Sequence, residues 1–437
     1  MKTSSLVLVI VLFAALVGGG FFYFRDTKGP EIALIPAAGP VSSKHPPTLQ
    51  LADTGSGLKS VTVTLSQGDK TIPVLSKEYP EGTLTQSEPL PLEQSGIKDG
   101  PAQIRVVAVD RSIFPLGAGS TTDQTFIFEF DNKAPVIALL SRTHNLTRGG
   151  SGLVTYTLSE DVARTGVMIG ERFFPGYQQP SGNYACLFSF PWDMNSSQFV
   201  PKVIAVDPAG NERQAGFYYH TNDKPFRQRQ IPVSSQFLEA KMPPFEDAFP
   251  EAKSPLEVFL KVNSEMRKAN VARLTEFGSN TSATPLWEGD FLRQPQAATL
   301  SLFADHRTYT YEGQHIDQQT HLGVDLASTA QADILAANHG RVVFADDLGI
   351  YGLCVILDHG LGLQTLYGHL SRIDVSVDQT VSKGQVVGAS GATGMAGGDH
   401  LHFETIVSGL SVTPIEWWDG AWIRNNITDK LSLAPTN

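Results

Sequence analysis

The chain has 437 residues, a formal net charge of −11 and a pI near 5.5. That length calls for several domains, and the acidity speaks against nucleic acid as a partner, because phosphate binding needs a basic footprint. With 18% charged residues, 40 Gly and 27 Pro, the composition is turn-rich, as in β proteins, and short of the disordered range.

The N-terminus opens on Leu6 to Phe24, 19 residues without a charge. Such a run can cross a hydrocarbon core. Lys2 precedes it and Arg25 and Lys28 follow, a bias too slight to set orientation. A cleaved signal peptide is the competing reading, but its apolar region is usually shorter and ends in an Ala-x-Ala-like site. Gly18-Gly19-Gly20 is followed by further aromatics, so residues 1–25 are expected to be an uncleaved signal anchor in the inner membrane. No Cys lies near the end of the run, which argues against a lipoprotein.

Residues 26–222 read as two β domains in tandem, 26–130 and 131–222. The first opens Asp26-Thr27-Lys28-Gly29-Pro30 and the second Asp131-Asn132-Lys133-Ala134-Pro135. Late in each comes a matching strand, Val106-Val107-Ala108-Val109-Asp110 and Val203-Ile204-Ala205-Val206-Asp207. A repeat of about 100 residues is the size of an immunoglobulin-like sandwich. The phrase Asp53-Thr54-Gly55-Ser56-Gly57-Leu58 is expected to be a turn. A calcium site there would need six or more oxygens, and none cluster along the sequence. Cys186 and Cys354 lie in different predicted domains without metal spacing and are expected to be buried, unpaired thiols.

Residues 223–295 form a connector, Pro-rich over 226–253. Within it Ser254-Pro255-Leu256-Glu257 has the form of a capping box with Pro at the first helical position. Leu256, Phe259, Leu260, Met266, Leu274 and Phe277 continue at helical spacing, predicting one amphipathic helix over about 254–277 that Gly278 can end.

From about residue 296 the pattern changes to short strands with Gly turns, an all-β domain expected over 296–425 and followed by a tail, 426–437. Eight of the 11 His lie between His306 and His402. His321-Leu322-Gly323-Val324-Asp325 and His400-Leu401-His402 offer two imidazoles and a carboxylate to a metal, with another imidazole beside them. Two His and one acid fill three positions of a tetrahedral zinc site, leaving the fourth for water, as in catalytic zinc centres. His400 and His402 point to one face of a strand, so one can bind the metal while the other reaches its water. His369, in Tyr367-Gly368-His369-Leu370, is a third party. His306, His315 and His339 are expected to be solvated or hydrogen-bonded, and His359 structural.

These motifs, with Gly384-Gln385-Val386-Val387-Gly388, Thr393-Gly394 and His400-Leu401-His402-Phe403-Glu404 in order and at the usual spacing, resemble the lysostaphin/LytM-type zinc metallopeptidases over roughly residues 300 to 418. Members of that family cut the peptide part of peptidoglycan. The resemblance implies Zn2+ held by His321, Asp325 and His402, with His369 and His400 as catalytic residues that do not bind the metal. The expected fold is mainly β: two Ig-like sandwiches from the repeat, a helical connector, and, as the resemblance implies, an antiparallel C-terminal peptidase domain (the duplicated hybrid motif) with the zinc in a groove walled partly by Gly391, Gly394, Gly397 and Gly398. The loop Met395-Ala396-Gly397-Gly398-Asp399 is an unusual version of the family's small-residue loop, read as a difference in specificity. Glu404 shares a strand face with His402 and is expected to support it rather than act as a base. The expected function is a membrane-anchored endopeptidase with peptidoglycan as its partner. The alternative is a non-catalytic scaffold that activates a cell-wall amidase, and the intact ligand set argues against it.

Overall fold

The computed structural model describes residues 3–433, so the first two residues of the expected anchor and the last four of the expected tail lie outside the described residues. The chain divides into two compact units. One runs up to Pro135 and includes Glu160–Ala163 and Val206–Arg213; the other holds Val136–Ser159, Arg164–Ala205 and everything from Gln214. Throughout, the molecule is mainly β.

In the first unit the apolar N-terminal run forms the helix Thr3–Tyr23. Side chains up to Leu6, and that of Phe22, lie outside the described set. Among the described residues no helix is long and apolar enough to cross a membrane. Beyond it, strands Glu31–Ile35, Thr48–Ala52 and Thr85–Pro89 make a three-stranded sheet. Gly39–Val41, Thr121–Phe130, Gly100–Asp110, Leu58–Gln67 and Lys70–Glu78 make a five-stranded one. Alternation builds the core between them. Ala102, Ile104, Val106 and Ala108 turn inward from one strand, and Phe126, Phe128 and Phe130 from its neighbour.

In the second unit Ser151–Leu158 pairs with Tyr184–Ser189 and with Ile137–Leu139, and Arg164–Ile169 pairs with Arg172–Pro175. The largest sheet of the chain has eight strands, in the order Ala298–Ser301, Val324–Ala327, Leu401–Val407, Leu363–Leu370, Leu353–Gly360, Gly340–Asp347 and Thr380–Val381, with Leu410–Val412 paired to Leu401–Val407. All its pairs are antiparallel. Its central strands, Leu363–Leu370 and Leu401–Val407, are buried at every residue. Both faces are covered, which explains the loss of polar alternation. On one face Cys354, Ile356, Leu366 and Ile406 pack with Phe259 and Leu274. On the other, Val355, Leu357, Tyr367 and Phe403 join a core that contains Trp417 and also reaches Leu153 and Phe188.

Phe259 and Leu274 belong to the expected connector helix. It runs from Pro255 to Gly278 but is not uniform: Pro255–Lys261 and Arg267–Gly278 are α-helical, and a π turn, Val262–Met266, joins them. The Ser254 side chain accepts from the Glu257 N–H, as the capping signature implies, while the Glu257 carboxylate takes the Lys253 N–H. The Pro-rich segment also contributes a strand. Gln228–Val233 pairs in parallel with His306–Tyr311, which pairs with Gln314–Thr320. Cys186 and Cys354 are buried free thiols.

Candidate metal centre

Strand pairing assembles the site. Asp325 and His402 are direct cross-strand partners, and residues so paired hold their side chains close on one face. His321 enters from the end of Gln314–Thr320. Its N–H donates to Asp305 O at 3.0 Å and its carbonyl accepts from the Ala304 N–H at 2.7 Å. Gly323 lets the turn close, because a Cβ there would stand 2.6 Å from Phe403 O and 2.7 Å from the His402 ring.

Three atoms converge. His321 Nε2 lies 2.9 Å from Asp325 Oδ1 and 3.1 Å from His402 Nδ1, and His402 Nδ1 lies 2.9 Å from Asp325 Oδ1. All three residues are buried. The other ring nitrogens fix which atoms face inward. His321 Nδ1–H donates to Leu302 O at 2.9 Å, and His402 Nε2–H to Glu404 Oε1 at 2.8 Å. With the outer nitrogen of each ring so bonded, the inward nitrogen is the one a metal would take, displacing any proton it carries. Glu404 is itself held by Ser411 Oγ–H at 2.7 Å. Asp325 keeps its second oxygen on Arg307 Nη2–H at 3.0 Å. Burial disfavours charge on His402, but Asp325 and Glu404 outweigh it and raise its pKa to about 9. Burial lowers His321 against the pull of Asp325. Asp325, despite its burial, is held well below the usual carboxylate range by His321, His400 and His402. A dense donor set with one carboxylate and two inward nitrogens fits a single metal ion among the described residues His321, Asp325 and His402.

The other two expected residues flank this cluster. His369 stands with its ring 5.0 Å from that of His400 and 5.6 Å from that of His402. Its Nδ1–H donates to Thr393 O at 2.9 Å, and His400 Nδ1–H donates to Gly398 O at 2.8 Å. Both leave Nε2 unused by these bonds, and His400 Nε2 is 3.6 Å from Asp325 Oδ1. His369 has φ +63°, in the left-handed region that a non-glycine residue rarely adopts. Burial, then the neighbouring His402 and His400, holds its pKa well below the ordinary imidazole value. All five residues line one cavity of about 460 Å³, with Met395, Ala396 and Gly397 among its other walls.

His359 is structural, its Nδ1–H donating to His339 O and its Nε2 meeting the Thr365 hydroxyl. Three contributors were not foreseen. Arg307 neutralises the outer oxygen of Asp325, the Leu302 carbonyl orients His321, and Ile231, Pro232 and Val233 line the cavity. Arg307 alternates with Thr308 and Tyr309 in a strand-like run, but nothing local distinguishes it from a solvated arginine.

Residues 319–414 match peptidase family M23. An uncharacterized metalloprotease of Haemophilus influenzae is 37% identical over 123 residues, 28% of this chain and 25% of that protein. DD-carboxypeptidase/endopeptidase Mpg of Neisseria meningitidis is 36% identical over 95 residues, 22% of each chain. The murein hydrolase activator EnvC of Escherichia coli is 36% identical over 95 residues, 22% of this chain and 23% of that one. The match thus spans about a quarter of the length of these curated relatives. Among solved structures, the catalytic domain of lysostaphin from Staphylococcus simulans is 25% identical, covering 28% of this chain and 92% of that one, with a TM-score of 0.24. The C-terminal part of this chain carries a peptidase family M23 domain of the LytM/lysostaphin type.

Proposed function

We propose that the chain is a membrane-anchored zinc metalloendopeptidase that hydrolyses peptide bonds in peptidoglycan stem peptides or cross-links. The observation that carries this reading is the triangle of His321 Nε2, Asp325 Oδ1 and His402 Nδ1, open to a cavity that His369 and His400 also line. Ligand atoms about 2.0–2.2 Å from a tetrahedral zinc stand roughly 3.3 Å apart, so the observed 2.9–3.1 Å separations need only a slight expansion. Zinc bound there supplies a Lewis acid and makes water nucleophilic near neutral pH.

The chain's own residues do the rest. His321, Asp325 and His402 hold the ion, and Glu404 fixes the His402 tautomer. His369 and His400, each anchored through Nδ1–H on a carbonyl, offer Nε2 to the reacting centre. Two such groups serve the two needs of amide hydrolysis, stabilising the developing oxyanion and carrying a proton to the leaving amine. The apolar walls and the buried ligands limit water around them. The reading of a single-pass inner-membrane anchor that leaves the peptidase outside the cytoplasm is supported by the uncharged sequence run Leu6–Phe24 alone.

Zymography on purified peptidoglycan, with mass analysis of the products, tests the reading. New amino groups that a chelator abolishes are expected. New reducing ends would point to glycan cleavage instead. No hydrolysis by the zinc-loaded chain, with stimulation of an added amidase, would establish the scaffold alternative, for which the name of the E. coli relative is a precedent.

A further inference from the structure

The first unit gathers a separate set of acids. Asp26, Asp53 and Asp110 each bring one carboxylate oxygen to a common point, all within 4.8 Å of one another. They come from the segment after the N-terminal helix, the turn after Thr48–Ala52 and the last residue of Gly100–Asp110. The turn expected at Asp53 is present, with the Gly55 and Gly57 N–H groups donating to Asp53 Oδ1 at 3.1 and 2.7 Å. The expectation that no further oxygens cluster there is corrected: the fold brings in two more carboxylates from distant positions, Asp26 and Asp110.

Asp110 carries the argument. It follows Ala102, Ile104, Val106 and Ala108 in the inward phase of its strand, and it is 0% exposed. Its Oδ1 accepts from the Ser112 N–H, the Ser112 hydroxyl and the Ser120 N–H, at 2.9, 2.7 and 2.6 Å. Its Oδ2 is buried and has no hydrogen-bond partner among the described residues. A buried carboxylate oxygen left in that state is costly unless a cation meets it. Among the described residues, the ion pairs of this unit, Lys77–Glu88, Arg105–Asp123 and Lys133–Asp99, lie elsewhere. Bonds to Asp53 fall on Oδ1, and at Asp26 the Ser56 N–H takes Oδ2 at 2.7 Å, so each of these carboxylates keeps a second oxygen for a ligand. The Asp26 carboxylate packs against Gly55, where a Cβ would make it shift.

The same three positions recur in the second repeat. Asp131, Glu160 and Asp207 also lie within 4.8 Å of one another. Asp131 opens its repeat as Asp26 does, and Asp207 directly follows the strand Lys202–Val206 where Asp110 closes Gly100–Asp110. There both Asp207 oxygens are taken by Asn211, so the case for an ion rests on the first cluster.

We infer that Asp26, Asp53 and Asp110 form a calcium site in the first unit. Carboxylate oxygens gathered within 4.8 Å of one another can share one calcium ion, which sits about 2.4 Å from each of its ligands. An all-oxygen donor set drawn from loops selects a hard cation, and irregular loop geometry suits calcium better than the strict octahedron of magnesium. Because Asp26 lies three residues after the helix Thr3–Tyr23, the ion would pin the helix exit to the Asp53 turn.

Thermal unfolding of the full zinc-loaded chain, with calcium or magnesium added to millimolar concentration, tests the site. Calcium should raise the lowest-temperature transition by several degrees and magnesium by much less. Asp26→Asn and Asp53→Asn should each remove that shift. In calcium-free buffer they should be as stable as the parent or more so, since each neutralises one of three like charges. His321→Ala, which alters the other centre, should keep the calcium shift. No calcium shift, a shift that survives both carboxamide variants, or one that His321→Ala abolishes would overturn the assignment. An equal response to magnesium would overturn the choice of ion.

Discussion

His321, Asp325 and His402 differ from His369 and His400 in what their ring or carboxylate atoms face, and substitution should separate the two groups. His321→Ala or Asp325→Ala should abolish both bound metal and hydrolysis, because two remaining donors hold zinc weakly. His369→Ala or His400→Ala should retain stoichiometric metal while activity falls by about 10²-fold or more, the usual loss for an acid/base group. Metal analysis beside a peptidoglycan assay reads both; zinc lost from His400→Ala and kept by His402→Ala would reverse the ligand assignment. Glu404→Gln should weaken metal affinity about 10- to 100-fold, as loss of a carboxylate behind a ligand histidine does, because Glu404 Oε1 receives the His402 Nε2–H. Competition with a chromophoric chelator measures it, and unchanged affinity would leave Glu404 a purely structural role. The five histidine and aspartate positions were expected because their motifs and spacing resemble the LytM/lysostaphin type, while strand alternation adds only that His400, His402 and Glu404 share one face. Arg307 and the Leu302 carbonyl were not, since a lone arginine and a backbone oxygen carry no motif; only the pairing of His306–Tyr311 beside the site gives them a role.

Elements explain where pattern reading stops. The connector helix was predicted from its cap and apolar spacing, but not its π turn at Val262–Met266, which no residue there announces. Leu363–Leu370 and Leu401–Val407 offer no polar alternation, because helix residues Phe259 and Leu274 cover one face and the Trp417 core covers the other. That core is closed by the short helix Pro414–Trp417. Trp417 Nε1–H donates to Ser151 Oγ at 3.2 Å, and Glu416 Oε2 accepts the Ser151 N–H at 2.8 Å. Burial pushes the Glu416 pKa up to about 8, against the lowering effect of that N–H. The folded chain thus holds a proton that the unfolded chain releases. Its contribution is full below the ordinary glutamate pKa and is lost as pH rises through about 8. Glu416→Gln should therefore be nearly neutral at about pH 5 and stabilising by on the order of 1–3 kcal/mol at about pH 9. Denaturant midpoints at the two pH values decide it; parallel curves for parent and variant would show that Glu416 ionises normally.

Over the whole molecule, the Asp-x-Lys-x-Pro boundaries suggested a string of separable domains, with the peptidase as a self-sufficient piece from residue 296. The second unit is built otherwise. Leu153, Phe188 and Phe190 share one core with Trp287, Phe291 and Trp417. Ser151 and Trp417, 266 positions apart, are hydrogen-bonded, and no sequence pattern encodes a contact at that separation. A chain of residues 296–437 would lose Trp287 and Phe291 and uncover Trp417, which is fully buried. Exposing aromatic side chains of that size costs about 2–3 kcal/mol each, a large share of the roughly 5–15 kcal/mol that holds a domain folded. A chain of residues 136–437 keeps that core intact. We therefore expect 136–437 to unfold cooperatively, to bind one zinc and to cleave purified peptidoglycan at a rate close to that of the full chain. Residues 296–437 should show a lower thermal midpoint, a tendency to aggregate and reduced cleavage. Calorimetry and zymography on the two truncated chains measure both. Equal stability and activity for the shorter chain would mean that the region around Ser151 only rests on the peptidase and does not hold it together.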